Sequence, residues 1–381
     1  MHIEQVSWTD SAGWQGIDGP ASAANLVIYF GTRSALENGA RFEELRRSFP
    51  GAHLLGCSTG GQIANEDISD EDIAAVALRF DATTLRLACE TVPSPEKSRA
   101  CGQTIGRTLA APDLAGIFIL SDGLNVNGSE LVAGIIDAIG RNIPVTGGLA
   151  GDGAQFHETL VGGDCPPRGH LVAAVGFYGK AIRIGHGSAG GWDQFGPRRR
   201  ITKSVANVLY ELDGKPALDL YERYLGEEDA KRLPGAALLF PLRIQDPDNE
   251  SSDVVRTVLA VDRDARSMTF AGDMPLGWVG QLMRGNFDRL ATGAGDAARQ
   301  AAVPADSENG QLAILVSCIG RRLLMGQHIV DEIEAAGNEL GPDVVRLGFY
   351  SYGEISPHSA SGVCQLHNQT MTVTTLAEVA A

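Results

Sequence analysis

One pattern occurs three times along this 381-residue chain and constrains its fold more than any other feature. It consists of a short β-branched or aromatic run, a segment of helical spacing, a second apolar run and a glycine-rich loop. The first copy is LVIYFGT (26–32), ALENGARFEELRRSF (35–49) and AHLLG (52–56), opening into CSTGG. The second is IFILSDG (117–123), SELVAGIIDAIG (129–140) and IPVTG (143–147), opening into GLAGDG. The third is AILVSCIG (313–320), QHIVDEIEAAGNEL (327–340) and VVRLG (344–348), opening into FYSYGE. A crossover with a helix inside it favours parallel pairing of its two strands. After each loop an alternating apolar run follows, at 72–80, 170–179 and 369–378. These runs could pair in either sense, so the sheets are expected to be mixed.

The remainder reads as an alternating strand at 180–187, a helix from 213 to 226 led by Pro216, a strand at 254–262 and a helix through 286–302. The polar stretch QDPDNESSD (245–253) reads as a loop or hairpin tip. The fold class is therefore α/β, in two domains with mixed sheets built from repeated strand-helix-strand-glycine-loop units. The expected divisions are an N-terminal extension at 1–24, one domain at 25–214 and a second at 215–381.

Loops leaving the carboxyl ends of parallel strands sit at the rim of a sheet, where open α/β folds bind ligands. The first loop offers Cys57, Ser58, Thr59 and Gly60: a thiol, two hydroxyls and a backbone that can approach an anion or a polar head group. The second offers Gly148 and Asp152, the third Tyr350, Ser351, Tyr352 and Glu354. Together they are expected to form the floor of one ligand pocket. The plainer reading of each loop is turn chemistry, with tyrosines half-buried at a sheet edge.

Composition narrows the function. Apolar residues make up 44% of the chain, enough for a sizeable core, while 31 basic against 47 acidic residues leave a formal charge of −16. That charge repels nucleic acid and anionic membrane surfaces, so neither is expected as a partner. The first residues lack a basic and apolar leader pattern, and no long apolar run appears, which gives a cytoplasmic expectation. The six cysteines have no CxxC spacing, so neither a zinc site nor a disulfide framework is indicated.

Several blocks resemble those of the FIST family, with its N-terminal and C-terminal halves. They are GCSTGGQI (56–63), GGLAGDGAQF (147–156), ITKSVANVLYELDGKPALDLYERYLG (201–226), VSCIGRR (316–322), GFYSYGEISP (348–357) and LHNQTMTVTTL (366–376). The resemblance implies a bacterial sensory domain that binds a small molecule such as an amino acid. It further implies signal transduction through a separate partner, a histidine kinase of a two-component system or a cyclase. One branch of stand-alone members, NosP, is similar in organisation and implies haem as cofactor with nitric oxide sensing.

A haem would need an axial ligand. The eight histidines are His2, His53, His157, His170, His186, His328, His358 and His367, and none stands in a ligand spacing such as CxxCH. The metal ligand therefore stays unassigned. For an amino-acid-like ligand, Arg321 could clamp a carboxylate bidentately, with Asn368, Glu354 and the two tyrosine hydroxyls answering the ammonium end. The competing reading of Arg321 is a salt bridge to Glu354. Catalysis would rest on Cys57 as a nucleophile in a glycine-rich loop, yet no GxSxG elbow, Walker loop, HExxH or GxGxxG accompanies it, so a non-catalytic protein is expected. The basic run Pro197–Arg200 reads as an exposed face or a docking patch for an acidic partner.

Overall fold

The structure, a computed structural model, describes residues 1–17, 23–233, 235–249, 252–304 and 310–379. The first repeat opens with β1 (His2–Thr9) and β2 (Gly13–Gln15), which lie in the stretch read as an extension. It continues through β3 (Leu26–Gly31), α1 (Arg33–Leu36), α2 (Ala40–Ser48) and β4 (His53–Ser58). The single helix expected over 35–49 is two, because Gly39 sits at a φ of 70°, outside helical space. Then come β5 (Gln62–Ala64), β6 (Asp67–Ser69) and β7 (Ile73–Arg79).

The second repeat consists of β8 (Thr84–Thr91), α3 (Ser98–Leu109), β9 (Leu114–Ser121), α4 (Gly128–Ile139), β10 (Val145–Leu149), β11 (Val161–Gly163) and β12 (Leu171–Tyr178). β13 (Ile182–Ala189) follows. A β-rich lobe is then inserted: β14 (Asp193–Val205), β15 (Val208–Leu212), β16 (Lys215–Pro216), α5 (Ala217–Leu225), α6 (Glu227–Lys231), β17 (Leu242–Gln245), β18 (Val254–Arg256), β19 (Val258–Asp262), β20 (Ser267–Phe270) and β21 (Val279–Arg284). Residue 215, the expected boundary, lies inside this lobe, where β16 pairs with β15. Of the stretch read as a hairpin tip at 245–253, residues 250 and 251 lie outside the described residues. The third repeat is α7 (Phe287–Gln300), β22 (Gln311–Cys318), α8 (Ile319–Met325), α9 (Ile329–Leu340), β23 (Val344–Ser351), β24 (Gly353–Pro357), β25 (Cys364–His367) and β26 (Met371–Glu378).

Each repeat forms a six-stranded mixed sheet around the same centre. β3 is parallel to β4, β9 to β10 and β22 to β23, while β7, β12 and β26 run antiparallel to the first strand of their repeat. The strand after each glycine loop leaves its own sheet. β5 pairs with β23 of the third repeat, β24 with β10 of the second, and β11 with β4 of the first. The three repeats are thus stitched in a cycle, each adding an edge strand to a neighbour.

The central strands are buried on both faces, so their sequences are continuously apolar rather than alternating. On one face Leu26, Ile28 and Phe30, Phe118 and Leu120, and Ile314 and Val316 join one core shared by the three sheets. On the other, Val27 and Tyr29 pack under α2, Ile117 and Ile119 under α3 and α4, and Ala313 and Leu315 under α7 and α9. α3 and α4 approach closely because a Cβ on Gly102 would come within 2.1 Å of the Leu131 carbonyl and one on Gly134 equally close to that of Arg99. The lobe has its own core, around Ile201, Leu218, Tyr221, Ile244 and Phe270. No helix among the described residues is long and apolar enough to cross a membrane.

Candidate functional site

The three glycine loops do meet, and they close on one another. Gly60 N–H donates to the Tyr350 carbonyl at 2.7 Å, Gly151 N–H to that of Ser58 at 2.9 Å and Tyr352 N–H to that of Leu149 at 3.1 Å. These bonds form a ring in which every repeat donates to one neighbour and accepts from the other. The polar side chains of the loops serve the same closure. Ser58 Oγ accepts from Leu160 N–H at 2.8 Å, and Thr59 Oγ1 donates to the Gly31 carbonyl at 3.4 Å and accepts from Gly61 N–H at 3.2 Å. Cys57 is fully buried, and burial pushes its thiol well above the ordinary value. Gly148 lies in β10, where an added Cβ would come within 2.7 Å of Val316 Cγ1.

Asp152 accepts from the N–H groups of Phe156, His157 and Glu158 at 2.8–2.9 Å and from the Tyr352 hydroxyl. Burial alone would raise this carboxyl, but those four donors outweigh it and hold it below the usual range. Glu354 is the reverse case. It is fully buried, accepts from Ser351 Oγ at 2.6 Å and Thr370 Oγ1 at 2.8 Å, and burial still pushes it up to about 8. Neither expected role of Arg321 is found. Its guanidinium has no exposure and pairs with Glu332 at 2.8 Å, not with Glu354, while donating to the carbonyls of Gly190 and Leu290. Tyr350 is buried in the same core, with the Arg322 guanidinium 5.1 Å from its ring centre. The basic run is likewise occupied, Arg198 with Gln245 and Arg199 with Asp213 and Tyr224.

A cavity of about 530 Å³ lies to one side of this ring, where the second and third repeats meet the lobe. The second repeat contributes Gly123, Leu124, Asn127, Leu149 and Phe156; the third, Cys318, Ile319, Gly320 and Tyr352; the lobe, Asn207, Thr257, Phe270 and Gly272. Glu96 and Glu130 also border it, and among the described residues no lysine, arginine or histidine does. Of the site residues expected from the sequence, Tyr352 alone is on this wall. Its ring stacks on Phe156 at 4.6 Å, and Phe156 is held at a φ of 51°, a conformation that a bulky residue rarely adopts.

One polar side chain of the wall, and two buried amides that do not line it, lack partners. Thr257 is 5% exposed and its Oγ1 makes no hydrogen bond. Behind Gly320, the Gln369 side chain lies where a Cβ would come within 2.5 Å, and neither end of its amide is bonded; the fully buried Asn368 amide beside it is equally unpaired. Buried polar groups are nearly always satisfied, so the Thr257 hydroxyl on the cavity wall marks a place where a ligand can supply the partner. Asn127 ties the wall together: its Oδ1 caps α4 through Glu130 N–H, and its Nδ2 donates to Asp273 of the lobe at 3.0 Å.

Comparison of the repeats singles out Cys318. The N–H groups of Thr32, Asp122 and Cys318 bond to the carbonyls of Asp72, Leu171 and Thr370, so the three residues are equivalent. Thr32 caps α1, and Asp122 accepts from Leu124, Asn125 and His170 N–H. Cys318 caps nothing and faces the cavity, protonated because burial raises its thiol. Aligning the repeats at this position was the sequence signal that could have found it.

The family comparison bears on the resemblance read from the sequence. The FIST N domain matches residues 25–215 and the FIST C domain residues 217–357. The chain belongs to the FIST family. FIST domains are associated with sensory binding of small ligands. An uncharacterized protein of Methanocaldococcus jannaschii is 26% identical, the match covering 91% of this chain and 72% of that one. Among solved structures, the cyanuric acid hydrolase from A. caulinodans aligns over 100% of this chain and 99% of its own, at 9% identity and a TM-score of 0.36. A likeness of that degree carries nothing over to this FIST protein.

Proposed function

We propose that this FIST protein is a non-catalytic cytoplasmic sensor that takes a small organic molecule into the cavity between its repeats and its lobe. It passes the event to a separate signalling protein, a histidine kinase or a cyclase. The observation that carries the reading is a cavity of about 530 Å³ between three parts of the chain, with the buried Thr257 hydroxyl unpartnered on its wall. Ligand pockets are commonly apolar clefts between domains with a few convergent polar groups. A ligand there touches both the lobe and the repeats, so its binding alters how firmly the two are held together.

Haem fits this wall poorly. Among the described residues no histidine borders the cavity, and no cationic side chain there would answer the propionates. His358 and His367 flank a neighbouring pocket of about 300 Å³. There His367 Nε2 lies 3.0 Å from the Ser356 carbonyl, and His358 Nδ1 accepts from Ala360 and Ser361 N–H. Nitric oxide sensing through haem is accordingly the weaker reading. Turnover through Cys57 is weaker still, because its thiol is sealed in the central core.

Two measurements test the reading. Hemin added to purified protein should give no ordered Soret shift with nitric oxide. A thermal-shift screen should yield a small molecule whose stabilisation is lost in Leu124→Trp, which fills the cavity from a half-buried position. A stabilising ligand indifferent to Leu124→Trp would refute the site, and a histidine-ligated haem spectrum would restore the other reading.

A further inference from the structure

We infer that the cavity selects an organic ammonium with an apolar body over a carboxylate. This rests on the reading of the cavity as the ligand site. Its only ionisable carboxyls, among the described residues, are Glu96 and Glu130, and it has no basic side chain. Glu130 is shared with Arg99 at 3.3 Å, while Glu96 is exposed, bonded by Ser94 and attracted by the adjacent Lys97, but makes no ion pair among the described residues. A carboxylate entering here would lose water and meet like charge. An ammonium would meet an opposite one.

Inside the mouth, the geometry continues the preference. Phe156, Tyr352 and Phe270 present aromatic surface, and a cation over an aromatic face is favoured by the ring quadrupole. The Tyr352 hydroxyl donates to the Asp152 carboxylate, which sets a further negative charge behind that ring. The independent sign of a ligand is Thr257, 95% buried by its 5% exposure, whose unpartnered Oγ1 can accept from an N–H. Arg256 lies behind Gly272, where a Cβ would come within 2.8 Å of its Nε, but it donates away from the cavity, to the carbonyls of Asp273, Val255 and Leu366. Arg321, the carboxylate clamp expected from the sequence, is sealed with Glu332.

The test uses the intact protein and two matched sets of probes: 2-phenylethylammonium, 2-phenylethanol and 3-phenylpropanoate, then hexylammonium, hexanol and hexanoate. Affinity is measured by calorimetry at low and high salt, with wild type, Glu96→Gln/Glu130→Gln, Thr257→Val and Leu124→Trp. The expected order in each set is ammonium, alcohol, carboxylate, with about a tenfold step between ammonium and alcohol, the scale of one charge contact near the surface. The double variant should shrink that step and its salt dependence, Thr257→Val should weaken both nitrogen and hydroxyl probes, and Leu124→Trp should abolish all binding. A carboxylate that binds as tightly as its ammonium, or a step that survives in the double variant, overturns the charge inference. If the alcohols still bind wild type and not Leu124→Trp, the cavity reading stands without it. Failure of all six probes, or binding indifferent to Leu124→Trp, overturns both.

Discussion

Replacing Glu354 with glutamine should stabilise the protein, and only above mildly acidic pH. The carboxyl is fully buried and titrates near 8 instead of the 4.5 of an unfolded chain. At neutral pH the folded form therefore holds a proton that the unfolded form releases, and stability falls as pH rises. The contribution is intact below about 4.5 and is lost as pH passes through about 8. The gap of 8 − 4.5 = 3.5 units, at about 1.4 kcal/mol per unit, amounts to about 5 kcal/mol in full. Between pH 5 and pH 9 it amounts to about 4 kcal/mol. Glutamine keeps the contacts without the titration, since its Oε1 can accept from Thr370 and its Nε2 can donate to Ser351 Oγ. Urea denaturation of wild type and Glu354→Gln, followed by one probe from pH 5 to pH 9, should show the difference opening in favour of the variant as pH rises. A difference that stays flat would mean that Glu354 is ionised in the fold, and the burial argument would be wrong.

Arg321→Ala should cost about 3–5 kcal/mol, because it leaves the Glu332 carboxylate buried and unpaired; a denaturation midpoint near wild type would deny that the pair is sealed. Gly147→Ala should impair folding severely, since the residue sits at a φ of 139° and a Cβ would come within 1.9 Å of the Ile119 carbonyl; soluble protein of normal Tm would contradict the register of β9 and β10. In a Cys89→Ser/Cys165→Ser background, a small alkylthiolating reagent should reach Cys318 before Cys57, Cys101 or Cys364, and a cavity ligand should slow it. Mass spectrometry finding Cys57 modified first would deny that Cys318 alone of these faces the cavity.

Much of this fold was legible in the sequence, for a physical reason. Strands buried on both faces, such as Leu26–Gly31 and Leu114–Ser121, leave continuous apolar runs that a period search finds. The cyclic exchange was not legible, because β5 and β11 are three residues each, Gln62–Ala64 and Val161–Gly163, too short to carry a pattern. Loop residues such as Ser58, Thr59 and Asp152 lie together in the structure, but their oxygens are spent on backbone N–H groups or carbonyls of the same closure. The cavity could not be read, since Glu96, Asn127, Thr257 and Cys318 come from distant segments whose meeting depends on where the lobe docks. The β-rich lobe itself was only half visible: β14 runs through a basic, largely exposed stretch that resembles surface.

The central claim is that the guest lies between the repeats and the lobe, not inside the ring of glycine loops. A crystal structure with the strongest stabilising ligand from the screen tests this most directly. Density bounded by Thr257, Cys318 and Tyr352, with the bonds of Gly60, Gly151 and Tyr352 still closed, is the predicted result. Density at the loops themselves, with that ring opened to hold the ligand, would contradict it.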